Sequence, residues 1–171
     1  MANTFELIAS TTLSSAQRDI EFTSIPATFT DLKLVFSTRF SGTAGNYFLV
    51  FFNSDTSSAN YSSKELTADG STASSGGWTT VSYWGFSPQS SFTADTFGNA
   101  EMYIPNYANT SYQKSASVDS VTENNASTSF IDLNAGKWTG TAAIHTIRLR
   151  PDATMNWVQY SSAYLYGIKN S

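Results

Sequence analysis

The feature that most constrains this chain is a two-residue rhythm with almost no helical one. In "DLKLVFSTRF", residues 31–40, Leu32, Leu34, Phe36 and Phe40 fall on one face, and Lys33, Ser37 and Arg39 on the other. In "IHTIRLR", Ile147 and Leu149 oppose Thr146, Arg148 and Arg150. In "SSAYLYGI", Tyr164, Tyr166 and Ile168 alternate with Ala163, Leu165 and Gly167. Thr, Ser, Val, Ile and aromatic residues dominate such stretches, and these side chains suit a pleated, half-buried surface.

This rhythm predicts about ten strands, near residues 4–11, 18–25, 31–40, 46–53, 79–86, 100–105, 114–121, 129–134, 143–150 and 161–169. Pro26, Pro105 and Pro151 each close a strand, because proline donates nothing to a ladder. "SGTAGN", 41–46, is a Gly-rich hairpin turn between two apolar runs. The expected fold is all-β: one antiparallel β-sandwich spanning 1–171, jelly-roll-like, with Met1–Thr4 as a possible N-terminal arm. Residues 53–77 are mostly small and polar and read as one long loop, with "SSKEL" able to form a short helical turn. So long a structureless run is unusual in a compact domain and suggests an excursion over a neighbouring subunit or a mobile tip.

Hydrophobic residues make up 40% of the chain, enough for a sizeable core, while only 13% are charged. The formal net charge of −4, with Lys and Arg scattered, argues against nucleic-acid binding, which needs a basic patch. The absence of cysteine removes disulfides and thiolate zinc sites. "MANTFELIAS" has no basic region followed by an apolar run, so no secretory leader is expected. No stretch reaches the ~20 apolar residues of a membrane-spanning helix.

Reactive constellations are scarce. His145, the single histidine, would have to serve any Ser-His-Asp triad, yet it sits in a strand pattern and is expected to be packed or interfacial. Asp55, Asp69, Asp95, Asp119, Glu123, Asp132 and Asp152 include possible pairs for glycoside cleavage, but most read as solvated loop carboxylates. "NSD" at 53–55 and "ENN" at 123–125 are compatible with calcium without matching a known loop. "AGKW", 135–138, lacks the remainder of a phosphate loop and reads as a turn. The Asn-x-Ser triplets at Asn60, Asn109 and Asn125 matter only in a secreted eukaryotic protein. No enzyme activity and no cofactor are expected. Aromatics from Trp78 to Tyr112 crowd the middle of the chain; beyond those in the core, they would serve a subunit interface or stack on sugar rings.

"FELIASTTLSSAQRDIEFTSIPATFTDLKLVFSTR", 5–39, and "SSAYLYGIK", 161–169, resemble the two ends of small β-rich virion proteins of tailed bacteriophages, especially phages of cyanobacteria and marine bacteria. The resemblance covers about a third of the chain and carries no catalytic residue. It implies a β-sandwich and a virion location, made in the host bacterial cytoplasm. It implies a capsid decoration (cement) protein that bridges subunits of the major capsid protein, self-associating as a trimer or dimer. A tail-fibre or adhesin domain binding host carbohydrate is the alternative. The contact residues expected on this reading are Asn3, Phe5, Tyr61, Leu66, Trp78, Trp84 and Tyr107. Neither nucleic acid nor membrane is expected as a partner.

Overall fold

The computed structural model describes residues 4–122 and 129–169. The described residues form twelve strands, two more than expected: β1 (Phe5–Thr12), β2 (Ile20–Phe22), β3 (Asp31–Thr38), β4 (Tyr47–Phe52), β5 (Tyr61–Ala68), β6 (Ala73–Trp78), β7 (Tyr83–Phe86), β8 (Gly98–Ile104), β9 (Lys114–Thr122), β10 (Phe130–Trp138), β11 (Ile147–Pro151) and β12 (Ser162–Ile168). They build two sheets, one ordered β1-β12-β3-β8-β9-β10-β5-β6 and the other β2-β11-β4-β7. Every pairing is antiparallel.

The strand order is that of a jelly roll. β1 pairs β12, β2 pairs β11, β3 pairs β8 and β4 pairs β7, so a long antiparallel ribbon is rolled over itself into two sheets. Two hairpins are added. β9–β10 follows β8, β5–β6 is inserted between β4 and β7, and together they extend the larger sheet beyond β8.

The expected loop over 53–77 is corrected here. A short 3-10 turn (Ser58–Asn60) leads into β5, and "SSKEL" is strand, not helix. The inner residues of β5 include Tyr61 and Ser63, so its apolar alternation is faint, and β6 is "ASSGGW" with almost none. The turn between them is tightly specified. Asp69 Oδ1 accepts hydrogen bonds from the backbone of Ser71 (2.9 Å) and Thr72 (2.7 Å), and Gly70 takes a φ of 88°. Those backbone donors hold the Asp69 carboxyl below its ordinary value. "AGKW" likewise belongs to β10 and is not a turn.

The core lies between the sheets. Leu32, Leu34 and Phe36 of β3, Met102 of β8 and Leu165 of β12 meet Ile20, Phe48, Val50, Ile147 and Leu149 of the smaller sheet. Each fully buried side chain of this size contributes about 1.5–3 kcal/mol. Trp84 of β7 carries the contact to the added strands. A Cβ on Gly136 would lie 2.3 Å from its indole ring, so only glycine lets β10 approach this closely. Tyr61 and Trp138 pack beside it. Buried Arg39 anchors the irregular segment after β7 by donating to the carbonyls of Thr93 and Thr96, both at 2.8 Å, and of Phe92 at 3.0 Å.

Candidate docking face

The outer face of the eight-stranded sheet carries large apolar side chains where solvent would favour polar ones. Of the ten exposed large hydrophobic side chains among the described residues, eight lie on it: Phe5, Leu7, Leu66, Tyr103, Val121, Ile131, Leu133 and Tyr164. One row crosses every strand, with Ser10, Tyr164, Val35, Glu101, Asp119, Leu133, Leu66 and Ser75 as successive cross-strand neighbours. The sheet curls, and residues of β3, β8, β9, β10, β5 and β6 together line one trough of about 730 Å³. Lys33, Glu101, Tyr103, Asp119, Leu133 and Leu66 are among its walls.

β10 departs furthest from the pattern expected of a strand. Its inward positions include Asp132, fully buried, and Asn134, 4% exposed, while Ile131 and Leu133 face out at 47% and 49% exposure. The register is set by neighbours on the same strand. Trp138 is buried, Gly136 lies under Trp84, and a one-residue slip would expel the first and misplace the second. Asp132 Oδ2 and both side-chain polar atoms of Asn134 have no hydrogen-bond partner. Burial pushes the Asp132 carboxyl up to about 6, although the hydrogen bond from the Thr67 hydroxyl at 3.2 Å favours its charged form. Burial and then Asp132 push Glu65 up to about 6 as well.

The polar side chains of the trough are firmly placed. Lys33 and Glu101 form a 2.7 Å ion pair, half exposed and therefore worth little to stability. Asp119 lies directly across from Glu101 and has no basic partner among the described residues. The Tyr103 hydroxyl donates to Asp31 Oδ2 at 2.6 Å, and Asp31 also accepts from the Asn106 backbone at 2.8 Å, which fixes the ring. That hydrogen bond, with some burial, raises the Tyr103 pKa.

The four-stranded sheet presents opposite chemistry. Arg148 pairs Glu21 at 2.9 Å, Arg150 pairs Asp19 at 2.6 Å, and the Arg150 guanidinium lies 5.7 Å from the Phe51 ring centroid.

The residues expected from the sequence as contacts separate into three groups. Phe5 and Leu66 lie on the apolar outer face, at opposite ends. Trp78 ends β6, half-buried against Tyr47 and Tyr83. Tyr61, Trp84 and Tyr107 are interior and offer no surface, so those expectations fail. Both tyrosines satisfy their hydroxyls inside: Tyr61 donates to the Asp55 carbonyl at 2.8 Å, and Tyr107 donates to the Pro26 carbonyl. Asn3 lies outside the described residues, as do Glu123, "ENN" and Asn125.

The strand placement of His145 is corrected, and of the two expectations for it the packed one fails: it precedes β11 and is exposed. Among the acids, Asp55 organises a turn, accepting from Trp138 Nε1 and Asn60 Nδ2, both at 2.8 Å, and from the Ser57 backbone at 3.0 Å. Burial opposes its charge, but those hydrogen bonds outweigh it and keep the carboxyl below its ordinary value. Asp152 accepts from Tyr83 at 3.0 Å. Among the described residues, no three of His, Cys, Asp and Glu come together in a way that would hold a metal ion.

The sequence named none of Leu7, Val121, Ile131, Leu133 and Tyr164 as surface residues, and Tyr103 only within the aromatic group from Trp78 to Tyr112. The one signal for β10 was Trp138, whose parity places Ile131 and Leu133 outward. No family model, curated protein or solved structure matches the chain.

Proposed function

We propose that this chain is a bacteriophage virion structural protein, a head decoration protein that docks on the major capsid protein through the outer face of its eight-stranded sheet. The observation that carries the reading is β10, where Ile131 and Leu133 face solvent while Asp132 and Asn134 are buried with unpartnered polar atoms. A strand whose polarity is reversed disfavours an isolated chain, and a partner covering the exposed leucine and isoleucine offsets that cost.

The dimensions suit the task. Eight strands spaced ~4.8 Å apart, each about seven residues long, present a face on the order of 800 Å², close to one side of a standard interface. The segments resembling phage virion proteins, 5–39 and 161–169, supply β1, β12, β3 and β2. β1, β12 and β3 are adjacent in one sheet, so the resembling ends form a contiguous block. The mechanism is burial of apolar area across capsid subunits, with no chemical step.

Quantitative mass spectrometry of purified virions tests the reading. Copies comparable in number with the major capsid protein support head decoration, and absence from the particle refutes a virion role. A handful of copies would favour the tail-fibre or adhesin reading. One observation gives that reading its own footing: the fixed Tyr103 ring stands in the trough beside Lys33, Glu101 and Asp119, an arrangement able to stack on a sugar and accept its hydroxyls. A glycan screen in which Tyr103→Ala abolishes a hit would establish it.

A further inference from the structure

The two sheets have four edges, and three of them are protected against strand addition. β1 carries a bulge between Leu7 and Ala9 and a 2.7 Å Glu6–Lys169 ion pair. β2 is three residues long and flanked by the paired Asp19 and Arg148. β7 is covered from the larger sheet: Ser63 Oγ donates to the Tyr83 carbonyl at 2.8 Å, and Ser120 Oγ accepts from the Phe86 N–H at 2.9 Å.

β6 has none of these devices. Ala73, Ser74, Ser75, Gly76 and Gly77 are exposed, and the strand contains no charge, no proline and no bulge. Its backbone pairs β5 on one side, and no backbone partner on the other side occurs among the described residues. A six-residue edge of this kind is a template for another strand.

We infer that β6 is a self-association edge that pairs antiparallel with β6 of a second copy, joining two eight-stranded sheets into one. Strand addition by a foreign peptide draws its specificity from pockets for alternate side chains. The trough reaches Ser75 and Gly76 only at its rim, and β6, whose residues from Ala73 to Gly77 are all small, raises no side-chain walls at its free edge. A second copy needs none, because two-fold symmetry fixes the register. A two-fold axis perpendicular to the sheet keeps outward side chains outward, so one residue must face its own copy. Trp78 is engaged with Tyr47 and Tyr83, which leaves 73–77 as the free span and Ser75 at its centre. Ser75 directly neighbours Leu66, so the outer face would run on through the seam into the second copy. This inference does not depend on the virion reading.

Because Ser75 faces itself, Ser75→Lys sets like charges in direct opposition, and mixing it with Ser75→Glu sets opposite ones. Sedimentation of the full chain should show a dimer for the wild type, monomers for each variant alone, and a dimer again for the mixture, with each variant keeping the wild-type β-sheet circular dichroism. The chain has no cysteine, so Ser75→Cys can be read directly. Oxidation should cross-link it, since facing Cα atoms lie about 4.5–5.5 Å apart, while Ser10→Cys on β1 should stay monomeric. A wild type that stays monomeric overturns the inference, and so does a dimer that survives Ser75→Lys while the Ser75→Cys variant fails to cross-link.

Discussion

On the smaller sheet, the outward side chains of β2 and β11 are Glu21, Arg148 and Arg150, paired with one another or with Asp19. On the larger sheet, the outward side chains of β10 and β5 include Ile131, Leu133 and Leu66, with Lys137 and Lys64 towards one end. Both sheets bury aromatic and aliphatic residues against the same core, so the difference does not arise from folding. Charges that satisfy one another suit a face that stays in water. An apolar trough with a few fixed polar groups suits a face that is covered. On the proposed reading, the contrast leaves the charged side of the sandwich to solvent and the apolar side to a partner.

The largest effect is expected where the added strands grip the roll. Trp84→Ala empties the space over Gly136 and should cost about 3–5 kcal/mol, roughly 10 °C in Tm. Hydrogen exchange should then show β9, β10, β5 and β6, and hence the trough, loosened more than β1, β12 and β3. Next is the face itself. Leu66→Lys with Leu133→Lys should weaken binding to phage heads about a hundredfold, the scale of one or two lost anchors, while thermal unfolding stays within a few degrees of wild type. Binding that survives both charges would end the contrast.

A smaller effect concerns the acids beneath the face. Asp132 and Glu65 titrate near 6 in the folded chain and near 4 when unfolded. Their folded values are raised, so the native state holds protons longer, and stability should fall as pH climbs from about 4 to about 6 and then level off. Asp132→Asn should reduce that slope, with Glu65 supplying the remainder, and should raise stability at pH 7 by roughly 1–2 kcal/mol. Urea unfolding across that pH range measures both. The smallest effect belongs to the solvent face: Arg148→Ala should change stability by about 1 kcal/mol or less and leave head binding unaltered.

The jelly-roll strands were legible because their alternation is carried by residues that go where the rule sends them, as Leu32, Leu34 and Phe36 of β3 do. The β5–β6 hairpin was not, because small polar residues fill it. Its one clear mark was Asp69-Gly70, a strong hairpin signal masked by serine on both sides. Removing 55–75 would therefore delete β5 and half of β6, not trim a loop. β10 misleads for a different reason. Read alone, Ile131 and Leu133 would turn inward, but Phe52, Tyr61 and Trp84, from three other strands, hold Trp138 and Gly136 inside, and parity does the rest. Tyr61, Trp84 and Tyr107 show the converse. Aromatic composition does not say which rings find room inside, and here the core took them.

Hydroxyl-radical footprinting of the protein, free and bound to heads, tests the contrast between the two faces most directly. The account predicts protection at Leu66, Tyr103, Ile131 and Leu133 on binding, with Phe51 and its arginine-covered surroundings on the smaller sheet unchanged. Protection concentrated on the smaller sheet, with the trough still open to oxidation, would contradict it.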